Sequence, residues 1–528
     1  MSDQGIGAVA VVLHAHLPWV RPGSADISFE EAWLYEALWE SYVPLYRLAA
    51  RLTERRRDGE RRPFFTLSLS PTLIAMLRDP ERVSRFDRYA AGITSRIEGA
   101  LSTRPDLAPA LEDHRVRLDD ARAALRELSG DLVQGFAALA EAGAIDLATT
   151  AATHALLPAT YSEATARAQL RMGLRYFNTV TRRHARLLWL PECAYDERLE
   201  DTIASSGATA TILDAHAIDL GRPRSRYGVR RPIVSDAPFA FFGRSTVLCD
   251  RIWSREHGYP SHADYREFFA SLGPSDDALS RPIKPFRVTG RPEKSPYDPA
   301  RARATAADHA ADLLDACGAF LAADLGRSGP GDAGPIATLA FDAELFGHWW
   351  WEGPTMLEAF LARADGRDGR PITTTPPRYL ELDPVLPVSR PATSTWGRGG
   401  YLDVWTHPRS SVATRIAHRA ERRVLFIDEL VRDTPRTETQ RLARLGAIRE
   451  LFLLMASDYG FMLRTGEFET YAHAMLREHA ARVEAFTRVA ERATEEPNDR
   501  FVIEALTRQR PLFAELEEDA WADAFDAW

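Results

Sequence analysis

Cysteine, basic charge and long hydrophobic runs are all scarce in this sequence. Only three of its 528 residues are cysteines, namely Cys193, Cys249 and Cys317. None of them forms a C-x-x-C pair, so the sequence predicts neither a disulfide framework nor a cysteine-zinc cluster. Acidic residues outnumber basic ones by 75 to 66. The resulting net charge of −9 argues against a nucleic-acid partner, because nucleic-acid binders usually present a basic face.

Membrane and export signals are also missing from the sequence. No run of about 18 apolar residues occurs, which argues against a membrane-spanning helix. The first stretch, MSDQGIGAVAVVLHAHLPW, has no basic residue ahead of its short apolar run. We therefore expect no signal peptide, and a cytoplasmic protein with reduced cysteines. The length exceeds that at which one core stops growing, so we expect more than one domain.

Short apolar runs, separated by longer segments rich in alanine, arginine and leucine, predict alternating strands and helices. The runs are almost continuously apolar, which is typical of parallel strands covered on both faces. Seven runs predict strands at 8–13, 64–69, 144–148, 187–190, 209–213, 246–249 and 336–341. The alternation favours an α/β fold whose parallel sheet is either open or closed into a barrel.

Composition suggests two further divisions of the chain. Residues 215–300 are rich in proline, arginine, glycine and serine, which predicts long loops or an inserted subdomain. After residue 411, apolar residues recur every three to four positions, as in amphipathic helices. Helices are predicted at 412–432, 437–456, 469–492 and 500–517. We expect a catalytic domain at 1–390 that contains the insertion, and a C-terminal helical domain at 391–528.

Two carboxylates follow predicted strands in matching contexts. Asp342 is the first polar residue after the last predicted strand, and Glu192 comes just after the fourth. Catalytic groups of β/α barrels lie at the carboxyl ends of strands. An acid that faces a nucleophile across a cleft is what glycoside cleavage requires. A lone acid after a strand is more often a helix cap, but the paired contexts favour catalysis. Glu344 and Glu352 compete with Asp342 for this role, although both lie beyond the predicted strand end.

Tryptophans cluster beside the predicted loops. The segment LAFDAELFGHWWWEGP, residues 339–354, contains three in a row beginning at Trp349, and STWGRGGYLDVW contains Trp396 and Trp405. Flat aromatic rings stack on the C–H faces of sugars, while acids and histidines bind sugar hydroxyl groups. One tryptophan more often fills a gap in a core, but three consecutive ones cannot all face a single core. The pattern favours a sugar-binding cleft.

Three histidines lie near the same predicted strand ends. His14 and His16, in VVLHAHLPW, are two positions apart, which puts both side chains on one face of a strand. His154 follows another predicted strand. Two imidazoles on one face are compatible with a metal site completed by Asp342, Glu192 or His154. They are equally compatible with imidazoles that bind substrate hydroxyls, and the residues alone leave both interpretations open.

Five stretches occur in the order of the signature regions of glycoside hydrolase family 57. They are HAHLPW, TTAATHALLP, WLPECAY, FDAELFGHWWWEGP and ASDYGFMLRTG. The sequence resembles this family, and in particular its 1,4-α-glucan branching enzymes. The resemblance implies an incomplete (β/α)7 barrel with an inserted segment and a C-terminal helical domain. It also implies no cofactor and no metal, which favours sugar binding by the histidines, and an α-1,4-glucan such as amylose or a glycogen-like polymer as both donor and acceptor.

The resemblance assigns roles to individual residues. Glu192 would be the nucleophile and Asp342 the general acid/base of a retaining double displacement. The cleaved chain would pass to a 6-hydroxyl and form an α-1,6 branch, as in glycogen biosynthesis. The expected sugar-binding residues are His14, His16, His154, Trp349, Trp396, Trp405 and Asp458.

The sequence departs from the family pattern at two points. Tyr459 stands where branching enzymes commonly have a tryptophan. These enzymes also carry a mobile loop whose tyrosine helps to exclude water; Tyr227 is one candidate, but the segment DAPFAFFGRSTVL matches the loop as well and has no tyrosine. A 4-α-glucanotransferase or α-amylase of the same family is the nearest alternative. A metal-dependent polysaccharide deacetylase and a catalytically silent glucan-binding protein are the others.

Overall fold

A computed structural model describes most of the chain. The described residues are 6–20, 26–57, 60–254, 256–274, 277–324, 334–382, 386–431, 436–507 and 512–525. Their strands are β1 Ala8–Ala15, β2 Phe65–Leu69, β3 Ile145–Thr150, β4 Leu187–Trp189, β5 Ala210–Leu213, β6 Ile233–Val234, β7 Ala240–Gly243, β8 Phe286–Arg287, β9 Ser295–Pro296, β10 Ile336–Asp342 and β11 Ile372–Thr374.

Helices surround the strands and form most of the last quarter of the chain. The first ten are α1 Phe29–Ala37, α2 Val43–Glu54, α3 Pro71–Leu77, α4 Pro80–Thr103, α5 Ala108–Glu127, α6 Leu132–Glu141, α7 Glu163–Thr181, α8 Glu200–Ala204, α9 Ala215–Asp219 and α10 Thr246–Trp253. The others are α11 Pro299–Ala322, α12 Gly353–Arg363, α13 Pro376–Leu382, α14 Asp403–Thr406, α15 Ser411–Val431, α16 Glu438–Leu454, α17 Ser457–Thr465, α18 Glu469–Ala490, α19 Asp499–Thr507 and α20 Glu518–Ala522. None of these helices is long and apolar enough to cross a bilayer.

Seven parallel strands form a curled sheet in the order β10-β1-β2-β3-β4-β5-β7. Its two outer strands approach each other at one bridge, where Arg244 pairs with Thr338 and the Ser245 amide donates to the Thr338 carbonyl at 2.9 Å. β6 runs antiparallel beside β7, and β11 adds to the start of β1. The incomplete (β/α)7 barrel is therefore confirmed.

Six of the seven predicted strands are present, but the prediction at 246–249 is wrong. Those residues open helix α10, whose buried side chains are Leu248, Cys249 and Ile252. That spacing covers one helical face, so the short apolar run was a helix segment. The missing strand is β7, which lies inside the interval predicted to be loops and insertion.

The helical C-terminal region is also present. The predicted helices at 412–432, 437–456 and 469–492 correspond to α15, α16 and α18. The fourth prediction, 500–517, runs past the end of α19 at Thr507 and includes residues 508–511, which lie outside the described residues. Helix α17 was not predicted, yet it matters for the site. It begins at Ser457, whose amide donates to the His154 carbonyl at 3.1 Å.

Candidate active site

Glu192 lies just beyond β4 in an unusual backbone conformation. Both Glu192 and Cys193 have positive φ angles, of 61° and 48°. Residues other than glycine rarely adopt this region, and such strain is often found at functional sites. Two backbone bonds hold the turn: the Cys193 amide donates to Leu190 at 2.8 Å, and the Trp396 amide donates to the Glu192 carbonyl at 3.0 Å. The turn directs the carboxylate into the mouth of the barrel.

Each oxygen of the Glu192 carboxylate has its own protein donor. The indole N–H of Trp396 donates to Oε2 at 2.9 Å, and the hydroxyl of Ser457 donates to Oε1 at 3.0 Å. His154 Nδ1 lies 3.8 Å from Oε1. Burial raises the pKa of Glu192, and the two hydrogen bonds oppose that effect by favouring the ionised form. The carboxylate is thus held in a fixed orientation, as a nucleophile requires.

Asp342 ends β10, where it is in register with His14 of β1. Burial raises the pKa of Asp342 well above its usual range, and the charges of Glu344 and Glu192 raise it further. Arg244 acts in the opposite direction. We infer that Asp342 and Glu192 share one cleft, since each lies at or just after the carboxyl end of a parallel strand of the same sheet. Like charges in one buried site separate in pKa, so one carboxyl stays protonated while the other ionises.

The three predicted histidines lie side by side: His14 and His154 are hydrogen-bonded to each other, and the His16 ring stacks on His154 with centroids 3.9 Å apart. His14 Nδ1 lies 3.0 Å from Ser68 Oγ, and its Nε2 lies 3.1 Å from His154 Nε2. His154 Nδ1 in turn lies 2.8 Å from the hydroxyl of Ser457. Burial lowers the pKa of both His14 and His154, helped by the charges of neighbouring histidines. Both imidazoles are therefore neutral near pH 7.

His16 lies beside His154, on the side that faces the cleft. Its Nδ1 lies 2.9 Å from Ser70 Oγ, and its Nε2 lies 3.1 Å from Asp458 Oδ2. The side chains of His16 and Asp458 are 9% and 17% exposed. Burial by itself raises the pKa of Asp458, but His16 and His154 outweigh it, so the net effect is a lowered pKa. Asp458 therefore presents an ionised carboxylate at the surface of the cleft.

Three of these side chains are close enough to be considered as a metal site. His16, His154 and Asp458 each offer a ligand atom, and the three atoms lie within 4.8 Å of one another. However, both ring nitrogens of His16 and of His154 already have protein hydrogen-bond partners. A metal would have to displace those bonds, since coordination needs a free lone pair. The donor set fits a hydrogen-bonding wall better than a metal centre, and we do not assign these residues as metal ligands.

The three consecutive tryptophans face different environments. Trp350 and Trp351 are each 1% exposed and pack in the core, where the Trp351 ring stacks on His114 with centroids 4.5 Å apart. Trp349 is 40% exposed and lies edge-on to Trp253, which is equally exposed. Trp253 also contacts Trp396, with ring centroids 6.2 Å apart. Trp349, Trp253 and Trp396 thus form a row of aromatic rings that ends at Glu192.

Trp405 differs from the other predicted platforms. It is 3% exposed, and its indole N–H donates to the Ser457 carbonyl at 3.0 Å. A stacking platform needs an open ring face, so this geometry favours a supporting role, in which Trp405 fixes the residue that donates to Glu192. Tyr459 is also buried, and its hydroxyl lies 3.3 Å from His479 Nε2. Its difference from the family pattern therefore affects the helical core.

Neither candidate for the mobile loop brings a tyrosine to the carboxylates. Residues 236–248 form β7 and the start of α10, so that segment is part of the barrel wall. The ring of Tyr227 packs against the guanidinium groups of Arg226 and Arg231. Arg231 lies 3.8 Å from Asp324, just after α11, which leads into the start of β10. Among the described residues, the ring contacts of Tyr227 are therefore with arginine side chains and include neither Glu192 nor Asp342.

Sequence reasoning missed two residues of the site. Ser457 adjoins Asp458 in a recognised motif, but nothing in the sequence links it to Glu192. Trp253 was recognised only as one of the tryptophans beside predicted loops, without a place in the site. Tyr42, whose hydroxyl donates to Glu344 at 2.5 Å, lies in a π-helical turn at Leu38–Tyr42. Such turns are frequent at functional sites, but no sequence pattern identifies them.

Two coupled carboxylates in the mouth of a seven-stranded barrel, beside a row of exposed tryptophans, define a carbohydrate-active enzyme. The sequence profile of glycosyl hydrolase family 57 matches residues 10–363. A second profile, for the C-terminal region of 1,4-alpha-glucan branching enzyme, matches residues 416–521. The chain belongs to glycosyl hydrolase family 57.

Individual relatives resemble the chain over nearly its whole length. A probable 1,4-alpha-glucan branching enzyme of Mycobacterium tuberculosis is 30% identical, over 90% of this chain and 91% of that protein. The crystal structure of a branching enzyme of this family from Pyrococcus horikoshii has a TM-score of 0.86 and 26% identity, and the match covers 98% of this chain and 97% of that one. The alpha-amylase AmyC from Thermotoga maritima gives a TM-score of 0.84 and 25% identity, with 98% and 99% covered.

Proposed function

We propose that the protein is a 1,4-α-glucan branching enzyme that cleaves an α-1,4-glucan and transfers the released chain to a 6-hydroxyl. The observation that carries the proposal is the buried pair of Glu192 and Asp342, in which two donors hold the Glu192 carboxylate and burial raises the pKa of Asp342. The branching-enzyme profile over the helical region and the similarity to named branching enzymes support the choice within the family. The proposed substrate is an amylose-like or glycogen-like polymer, as donor and as acceptor.

In the first half-reaction, Glu192 attacks the anomeric carbon while Asp342 protonates the leaving oxygen. The Trp396 and Ser457 donors keep Glu192 ionised and point it at the sugar. The high pKa of Asp342 supplies the proton. A retaining mechanism of this type needs carboxyl groups about 5–5.5 Å apart. The product is a glycosyl ester on Glu192, which no longer carries a charge.

In the second half-reaction, Asp342 removes the proton from the acceptor hydroxyl. Esterification of Glu192 removes one of the negative charges that hold Asp342 protonated, so the pKa of Asp342 falls and it can act as a base. The acceptor must outcompete water, and ordered binding can provide a large effective concentration. We assign this ordering to the row of Trp349, Trp253 and Trp396, and the sugar contacts beside the scissile bond to His16 and Asp458. His14 and His154 support them from behind.

The proposal also includes the division of the chain into two units and its cellular location. The catalytic unit covers residues 1–390, and its insertion lies within the predicted interval of about 215–300 but excludes β7 and α10, which belong to the barrel. Residues 391–528 form the helical unit that completes the cleft through Ser457 and Asp458. The three cysteines are buried and unpaired. That state is typical of a reducing compartment, which supports a cytoplasmic location.

Net hydrolysis of α-1,4-glucan is the second candidate. It is favoured by the similarity to an alpha-amylase and by the ring contacts of Tyr227, which are with arginine side chains. Proton NMR of amylose incubated with the protein distinguishes the two, because only branching creates α-1,6 linkages. We expect α-1,6 signals that are absent with Glu192→Gln. Products containing only α-1,4 linkages would refute branching. Loss of activity in the presence of a chelator would refute the proposal that catalysis needs no metal.

A further inference from the structure

Glu344 lies two residues after Asp342, in the short turn Ala343–Leu345 that follows β10. Asp342 pairs with His14 in the sheet. Two residues after His14, the amide of His16 donates to Glu344 Oε1 at 3.1 Å. The hydroxyl of Tyr42 donates to the same oxygen at 2.5 Å. Glu344 is 6% exposed. Two donors therefore fix a third buried carboxylate within the electrostatic reach of Asp342.

Arg244 approaches Asp342 from the seam of the barrel. It directly follows β7, and its Nε donates to the carbonyl of Ala340 at 3.2 Å, two residues before Asp342 on the same strand. Its other end lies 3.6 Å from Asp214, and its guanidinium lies 5.8 Å from the centre of the Trp396 ring. Arg244 is 7% exposed. The Arg244 cation is therefore held between the strand that ends in Asp342 and the Trp396 ring, which donates to Glu192.

Other groups also face Asp342. Glu192 and Asp458 contribute negative charge from β4 and α17 and raise its pKa together with Glu344. The Cys193 thiol and the Tyr42 hydroxyl are buried and neutral, because burial raises the pKa of each well above its usual range. His14 is neutral as well. Among these neighbours, Glu344 and Arg244 are charged groups that we place outside direct contact with the substrate, so they can be altered without removing a reacting atom.

We propose that Glu344 and Arg244, held at the strand that ends in Asp342, are positioning residues of opposite charge that act on Asp342, Glu344 favouring its protonated form and Arg244 its ionised form. The proposal rests on the proposed function in taking Asp342 as the general acid/base. Both forms are needed in one catalytic cycle, because Asp342 donates a proton in the first step and accepts one in the second. Burial raises the pKa of Glu344 to about 7, so its charge changes within the pH range of the assay.

The test compares a variant that removes a negative charge near Asp342 with a variant that removes a positive charge. In Glu344→Gln the loss of negative charge lowers the pKa of Asp342, and we expect the alkaline limb of kcat/KM to move down by about one pH unit. In Arg244→Met the loss of positive charge moves the same limb up by about one unit. Glu344→Asp and Arg244→Lys keep the charges and restore the limb towards its original position. Glu352→Gln is the matched control, since that buried acid of the same segment accepts the Arg266 amide at 3.0 Å instead.

A second readout does not depend on activity. The infrared band of the protonated Asp342 carboxyl, identified by its loss in Asp342→Asn, is followed against pH in each variant. If Glu344→Gln does not fold, Tyr42→Phe serves instead: it removes a bond that favours ionised Glu344 and should also lower the pKa of Asp342. Shifts of opposite sign support the proposal, and absent shifts or shifts of one sign overturn it. If the wild-type protein makes no α-1,6 linkage, the proposed branching activity is refuted. The roles of Glu344 and Arg244 are still decided separately, by the infrared titration.

Discussion

Replacing Trp396 by phenylalanine tests how the nucleophile is held. The change keeps an aromatic ring at the end of the tryptophan row and removes the N–H that donates to Glu192 Oε2 at 2.9 Å. A hydrogen bond to a charged group contributes about 1.5–3 kcal/mol. One pKa unit corresponds to about 1.4 kcal/mol. If most of that energy favours the ionised form, the pKa of Glu192 rises by about one to two units.

The assay is the pH dependence of kcat/KM for cleavage of a short α-1,4-glucan. Glu192 must be ionised to attack, so the acid limb reports its pKa. We expect this limb to move up by about one to two pH units in Trp396→Phe, with most of the activity retained at higher pH. Trp349→Phe is the control, because it removes an indole N–H at the far end of the same row. An acid limb that stays in place while activity falls equally at every pH would refute the assigned role of the Trp396 donor.

Three other predictions concern stability and the glucan cleft. Asp342→Asn should raise the free energy of unfolding at pH 7, by about 1.4 kcal/mol for each unit by which the pKa of Asp342 in the folded protein exceeds that in the unfolded chain. Denaturation curves should show this gain disappearing towards pH 4. An unchanged or lower stability at pH 7 would contradict the raised pKa of Asp342. Gly173→Ala should destabilise by about 1–3 kcal/mol, because a Cβ there would lie 2.4 Å from the Thr150 carbonyl, whereas Gly99→Ala, with open space at its Cβ in α4, should stabilise slightly. Equal melting temperatures for the two glycine variants would show that the contact between α7 and β3 is not tight. Trp349→Ala should lower glucan transfer more than cleavage without changing the melting temperature, whereas Trp350→Ala should cost about 3–5 kcal/mol of stability; equal loss of transfer and cleavage in Trp349→Ala would argue against a platform.

The barrel was predictable wherever strands are buried on both faces. β1 and β10 have continuous apolar runs that end in polar residues, and those end residues, His14 and Asp342, are in register across the two strands. The error at 246–249 arose because four apolar residues fit a strand and one face of a helix equally well. The correct strand, β7, has the sequence AFFG and is too short to stand out in a proline- and arginine-rich interval.

The sequence indicated which residues belong to the candidate site, but it did not indicate which of them contact each other. The positions of Glu192 and Asp342 follow from where strands end. The bond between His16 and Asp458 joins residues 442 positions apart, and the one between Ser457 and Glu192 joins residues 265 apart. No local periodicity records such pairings, because they arise only when α17 packs against the barrel. The same packing buries Trp405 and leaves Trp349 exposed, which aromatic content alone cannot distinguish.

Trapping the covalent intermediate tests the central claim most directly. An α-maltosyl fluoride needs no acid to expel fluoride, so in Asp342→Asn the first half-reaction should proceed while the second, which needs a base, is slow. Peptide mapping by mass spectrometry should then find a glycosyl group on the carboxylate of Glu192. An adduct on another residue, or a Glu192→Gln variant that still forms an adduct and transfers glucan, would contradict the pairing of Glu192 and Asp342.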